Sequence, residues 1–137
     1  MHINLVWFRN DLRVHDNSAL HFACQCDLKK TIVLALFIST PKQWQKNFMA
    51  PKKAFLIYKN VIFLQREIIK LGINFYYHES TDYLTSISYI INFCKIHQVN
   101  SIFFNYEYGF FERKRDEIVK EQLKKIMLLL IVFMIQD

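Results

Sequence analysis

The chain has 137 residues, 53% of them hydrophobic, enough for one domain with a real core and too few for two. Two glycines and two prolines exclude collagen-like, Gly/Ser-linker and Pro-rich disordered chains, and with only Gly72 and Gly109 neither a G-x-G-x-x-G nor a Walker A loop can be written. Eighteen Lys and Arg against twelve acids give a net charge of +6, which suits contact with nucleic acid or an acidic surface; lysine-rich coding in an A/T-rich genome explains it as well and is favoured, because no dense Lys/Arg block appears.

Apolar runs alternate with amphipathic stretches. Ile3 to Phe8 is a short β-branched and aromatic run ending in charges, and predicts a buried strand. Asp16-Asn17-Ser18 supplies cap residues for a helix through Ala19 to Cys24. Thr31 to Ile38 is a continuous apolar octet, the pattern of a strand covered on both faces. A polar loop is expected from Ser39 to Pro51. Phe55, Tyr58, Ile62, Gln65 and Ile69 then recur at helical spacing between Lys52 and Leu71, and Gly72 provides the stop. A third strand is expected at Ile73 to Tyr77, a helix at Thr81 to Ile96, a fourth strand at Ser101 to Phe104 and a fourth helix at Glu112 to Met127.

Strand and helix alternating four times predict an α/β fold, a doubly wound, Rossmann-like parallel sheet with helices on both faces. In such sheets ligands bind beyond the carboxyl ends of the strands, here the segments after Phe8, Ile38, Tyr77 and Asn105. Cys24, Cys26 and Cys94 form no C-x-x-C, and Cys24 and Cys26 sit two apart on one helix, so structural thiols in a reducing compartment are expected. No leader peptide is evident, and the longest apolar run, Ile126 to Ile135, is ten residues, too short for a bilayer. The chain reads as soluble, cytoplasmic and monomeric.

After the first strand come Arg9, Asp11, Arg13 and Asp16. These can pair with each other, with Asp16 or Asn17 capping the following helix, or can hold an acidic ligand; equal numbers of both charges favour the structural network. His15, His78 and His97 fall in separate loops, which argues against a metal site. Trp7 and Trp44 are expected to pack or to line a pocket. Glu112 to Lys125 reads as a solvated face with (i, i+4) pairs, and Glu112 itself as a helix-start carboxylate.

The run Trp7-Phe8-Arg9-x-Asp11-Leu12-Arg13-x-x-Asp16-Asn17-x-Ala19-Leu20 resembles the amino-terminal signature of the DNA photolyase/cryptochrome family. Three further stretches are similar to its bacterial folate-antenna class. These are Leu34-Ala35-Leu36-Phe37-Ile38 with Thr40-Pro41-Lys42-Gln43-Trp44, then Met49-Ala50-Pro51-Lys52, then Phe103-Phe104-Asn105-Tyr106-Glu107-Tyr108 with Glu112-Arg113-Lys114-Arg115-Asp116. The likeness runs from Asn4 to about Leu123 and implies the family's α/β antenna domain, over residues 1–125. It implies two cofactors, a light-absorbing methenyltetrahydrofolate and a reduced FAD that donates an electron to a pyrimidine dimer in ultraviolet-damaged DNA. The flavin and DNA sites of the family belong to a helical domain outside these residues, so no catalytic residue is assigned in this chain. In the folate site an Asn-Glu pair contacts the pterin; here it reads Phe111-Glu112, so only the acid persists. A family His aligns with Asn47.

The resemblance implies a light-driven lyase, with this chain supplying the antenna and inactive by itself. The alternatives are a cryptochrome-like photoreceptor, a relic of a truncated gene, or a free-standing α/β module sharing only the fold. Residues 126–137 are expected as an apolar tail, out of frame if one A was lost from a run encoding Lys124-Lys125-Ile126, although an apolar run there can also imitate the expected fifth strand.

Overall fold

A computed structural model of the chain describes residues 2–25, 30–46, 50–126 and 130–135. Strand β1 (His2–Phe8) leads through α1 (Ser18–Cys24) to β2 (Thr31–Ser39). Helices α2 (Pro41–Lys46) and α3 (Pro51–Lys70) precede β3 (Asn74–Glu79), and α4 (Tyr83–Ile96), β4 (Ser101–Asn105), α5 (Phe110–Ile126) and β5 (Ile131–Ile135) complete the order. The strands form one parallel sheet in the order β3-β2-β1-β4-β5. The chain thus builds β1, β2 and β3 outward in one direction, then returns through α4 to place β4 on the other side of β1. That reversal lies between β1 and β4, and opens a crevice at their carboxyl ends.

Side chains alternate across a strand, and the two faces sort the apolar runs accordingly. Leu5 and Trp7 of β1, Leu34, Leu36 and Ile38 of β2, and Ile102 and Phe104 of β4 join the core under α4 and α5. Val6, Phe8, Ala35, Phe37 and Phe103 point the other way, into the core under α1 and α3. Three central strands buried on both sides explain why their sequences read as unbroken apolar runs. Val61, Leu64 and Ile68 bring α3 onto the sheet; Ile87, Ile90 and Cys94 do the same for α4.

Local signals set the element ends. The Asn17 side chain accepts from Leu20 N at 3.2 Å and caps α1. Asp82 and Thr85 form a reciprocal capping box at the start of α4. Gly72, at φ 77°, follows α3 in the left-handed region that glycine adopts without strain.

Three expectations are corrected. The stretch from Ser39 to Pro51 contains a helix, α2, because Pro41 supplies a preset first helical residue. Helix α5 starts at Phe110, two residues before Glu112, because Gly109 precedes it as the turn. Residues 126–137, expected as a tail, contribute Ile131–Ile135 to the sheet as edge strand β5, paired in register with Ser101–Asn105. The run can do this because it is β-branched and aromatic. Val132 and Met134 pack against the α5-side core, and the Phe133 ring stacks on Phe103 at 4.6 Å.

Phe104 is fully buried, edge-on to Trp7 with ring centroids 5.3 Å apart. Replacing it with Ala should cost about 3–5 kcal/mol, a truncated aromatic leaving a cavity in a close-packed layer. Urea unfolding of the purified variant measures this, and a loss below about 1 kcal/mol would contradict the packing described.

Candidate functional site

The crevice between β1 and β4 is built around buried charge. Arg9, the first residue after β1, is held at both ends. Its Nη1 donates to Asp116 Oδ1 at 2.6 Å, its Nη2 donates to the carbonyl of Asn105, and its guanidinium lies 4.5 Å from the Trp7 ring centre and 4.7 Å from that of Phe104. Arg115 supports the same carboxylate: its Nε donates to Asp116 Oδ1 at 3.0 Å and its Nη2 to Glu107 Oε1 at 2.5 Å. Arg9 Nε and Asp116 Oδ2 are buried without a hydrogen-bond partner among the described residues, and Arg9 Nε lies 3.8 Å from Glu107 Oε1.

Two cations and two anions offset one another there, which is how four charges can stand together out of water. Burial pulls the Arg9 pKa below the ordinary arginine value, and Arg115 adds to the drop while Asp116 and Glu107 oppose it. Burial also works against the Arg115 charge, but Asp116 and Glu107 outweigh it and raise its pKa.

A second, neutral hub joins the network. Asn105 Oδ1 accepts from Ala19 N at 2.9 Å, in the first turn of α1, and its Nδ2 donates to Asn17 Oδ1 at 2.8 Å and to Asp11 Oδ2. Asp11 Oδ1 accepts from Arg9 N at 2.9 Å. The loop after β1 is therefore a structural network, as its balanced charges suggest. Its partners differ from the sequence reading, though: Arg9 pairs with Asp116 on α5, not with a neighbouring aspartate, and Arg13 reaches only the carbonyl of Asp16 at 3.1 Å.

Against this base lies a cavity of about 330 Å³, walled by Phe37, Trp44 and Tyr83 and edged by Arg9, Arg115 and Glu112. Trp44 packs edge-on to Tyr58 with centroids 5.7 Å apart, so it lines the pocket while Trp7 sits in the core. The Glu112 carboxylate is half-buried in the first turn of α5, folded back over Gly109, where any added Cβ would collide with it. Tyr83 OH donates to Glu112 Oε1 at 3.5 Å, and Arg115 lies 5.0 Å from the Tyr83 ring centre. Burial pushes the Tyr83 phenol up to about 12; Arg115 pulls it back, and Glu112 and Glu107 add to the rise. The phenol therefore stays a donor throughout the neutral range.

Glu112 thus stands at the crevice, in the first turn of α5. Phe111 is half exposed and meets Phe110 edge-on, with centroids 5.4 Å apart. Asn47 lies outside the described residues, as does Cys26. His78 is in β3 and stacks on Tyr89 at 3.6 Å, and His97 caps α4 against Phe93. No group of three metal-ligating side chains forms among the described residues. Nor is α5 wholly a solvated face, since Arg115 and Asp116 are buried. A larger hollow of about 1010 Å³ runs along α1 from the Val14–Ser18 segment to the start of β2 and the residues that follow α3. Among the described residues no helix is long and apolar enough to cross a membrane.

The DNA photolyase family profile matches residues 4–134, past Leu123 and through most of β5. A deoxyribodipyrimidine photo-lyase of Buchnera aphidicola subsp. Baizongia pistaciae is 63% identical over 125 residues, 91% of this chain and 26% of that protein. The Escherichia coli deoxyribodipyrimidine photo-lyase is 39% identical over 127 residues, again 26% of its length. The chain therefore spans about a quarter of the curated relatives it matches. Among solved structures, a Synechocystis cryptochrome superposes with a TM-score of 0.82 at 22% identity, covering 99% of this chain and 27% of that one. An archaeal photolyase from Sulfolobus tokodaii, described with two FAD molecules, superposes with a TM-score of 0.73 at 22% identity over 96% of this chain and 29% of its own.

Two outcomes follow from the buried charges and the phenol. Asp116→Ala leaves Arg9 and Arg115 facing each other without their shared anion, and should cost about 3–5 kcal/mol in denaturant unfolding. Because the folded Tyr83 pKa stands above its ordinary 10, the stability it lends is complete below pH 10 and is lost as pH rises towards about 12. Tyr83→Phe should flatten that alkaline decline, while Tyr58, also raised to about 12, keeps its own share; melting temperatures between pH 9 and 12 read the difference.

Proposed function

Because the chain belongs to the DNA photolyase family, we propose that it forms the light-harvesting α/β portion of a deoxyribodipyrimidine photolyase, with a folate antenna seated at the crevice beside Glu112. The observation that carries this reading is the placement of that carboxylate. It stands half-buried on the edge of an aromatic-walled cavity at the carboxyl ends of β1 and β2, the edge of the sheet where α/β folds take their ligands.

The residues fit the group. A pterin presents an amino group and a ring N–H along one edge, and a carboxylate accepts both in parallel. Glu112 supplies the acceptor, and Tyr83, itself a donor, steadies one of its oxygens. A cavity of about 330 Å³ is of the order that a bicyclic ring fills. Phe37 and Trp44 offer apolar wall, and Arg9 and Arg115 line the base of the cavity. Phe111 stands where the family has Asn, so one polar contact is replaced by an apolar one.

When bound, the folate supplies light absorption, and a reduced flavin supplies the electron that splits a pyrimidine dimer in damaged DNA. The chain's own residues do three things: they bind the chromophore edge, fix its orientation and exclude water from its face. No residue of this chain is assigned to the flavin or to DNA, and we place repair activity in the longer protein, with this portion inactive alone. The reading puts the protein in the cytoplasm as a monomer. A cryptochrome-like photoreceptor is the second reading; the names of the relatives at 57% to 63% identity, deoxyribodipyrimidine photo-lyases, support the first.

Methenyltetrahydrofolate titrated into the purified chain, followed by fluorescence anisotropy, tests the antenna. Saturable binding is expected, weakened roughly ten- to a hundredfold by Glu112→Gln, which removes a charged acceptor worth about 1.5–3 kcal/mol. Gly109→Ala should weaken it in the same direction by displacing the Glu112 carboxylate. Absence of binding by the parent chain, or binding indifferent to Glu112, would sink the reading.

A further inference from the structure

Helix α3 carries two apolar faces and the fold uses one. Val61, Leu64 and Ile68 are buried on the sheet. On the other side Phe55, Leu56, Ile62, Phe63 and Ile69 are each more than half exposed. At 3.6 residues per turn, positions seven apart fall nearly in line. Phe55, Ile62 and Ile69 therefore form one apolar ridge, Leu56 and Phe63 a second, and the exposed Lys52, Lys59 and Arg66 a third running between them. Lys59 Nζ lies 5.7 Å from the Phe55 ring centre.

The charge is concentrated in the same segment of the chain. Residues 41–72 hold seven of the eighteen cationic side chains and one of the twelve acids, Glu67, so this segment carries the entire net charge of +6 and the rest of the chain is balanced. Glu67 is engaged with Lys70 at 3.3 Å, beside the ridge.

We propose that the outer face of α3 docks an acidic amphipathic α-helix of a partner protein, one whose Asp and Glu side chains run along a seam flanked by apolar residues. The seven-residue repeat of both apolar ridges is the spacing at which helices pack along each other. The basic ridge asks for acids on the facing seam. A second copy of this chain would set Lys59 and Arg66 against their own kind. A bilayer fits poorly, since the cations divide the apolar face along its middle, where a flat membrane would bury them, instead of lying at its margins. A phosphate backbone would meet the cations but leave Leu56, Ile62 and Ile69 uncovered.

The test uses the 137-residue chain and a synthetic helical peptide of roughly four heptads with a Glu seam between Leu ridges, beside a matched peptide carrying Lys in the seam. Anisotropy should show saturable binding of the Glu peptide alone, weakening about tenfold between about 50 and 300 mM salt. Lys59→Glu with Arg66→Glu should abolish it, and Ile62→Ser with Phe63→Ser should weaken it at least as much. All four positions are exposed, and unchanged circular-dichroism melts would establish that the variants fold. The proposal is overturned if neither peptide binds, if both bind alike, or if the charge-reversed variant binds as the parent does. Tighter association with phosphatidylserine vesicles or a single-stranded oligonucleotide than with the Glu peptide would overturn it too.

Discussion

The contact between Arg9 and Asp116 organises the carboxyl end of this sheet. One guanidinium, packed against the Trp7 and Phe104 rings, ties the end of β1 to the carbonyl closing β4 and to the first turns of α5. Those are the elements that meet where the strand order reverses. A crevice there is a gap between diverging connections, and an apolar contact would tolerate sliding. A buried charge pair does not, because any displacement leaves both ions desolvated and alone. Arg115 and Glu107 complete the balance, and Asn105 extends the constraint to the start of α1.

With that floor immobilised, the crevice can present Glu112 in one place. The residue sits three positions past Gly109, and the lack of a side chain on Gly109 is what lets its carboxylate fold back towards the helix end. Tyr83 comes from α4, on the same face of the sheet, and reaches the same carboxylate. Tyr83 alone is seen to reach that acceptor, while Arg9 at the end of β1 and Arg115 of α5 line the same cavity. The proposed antenna site calls for a chromophore held still, and a buried ionic floor beneath an aromatic cavity supports that proposal.

The same molecule is asymmetric in charge. Its ionic floor is neutral in sum, so the net positive charge lies elsewhere, along α2 and α3. That helix pair covers the opposite side of the sheet from α4 and α5, and its outer face combines cations with exposed aromatic and aliphatic side chains. Ligand chemistry at the strand ends and surface chemistry on α3 are therefore physically separate.

The sequence by itself determined the layers of this protein. Runs such as Leu34 to Ile38 are apolar at every position because both faces of a central strand are covered, and their short length and alternation with amphipathic helical stretches point to strands. The Asn17 cap and the Gly72 stop were legible for the same reason, since both act within a few residues of chain. It also carried the ordered motifs that the family match extends through residue 134. The tertiary structure decided what depends on distance in space. Nothing within the first turn marks Asp116, more than a hundred residues on, as the partner of Arg9, and a charged helix reads as solvated until its docking face is known. Strand β5 was ambiguous for a related reason: a uniformly apolar run has no period, so only its pairing with Ser101–Asn105 shows that it is a strand. Local propensity and periodicity act through neighbours in the chain; ion pairs, cavities and sheet edges are set by which distant segments the fold brings together.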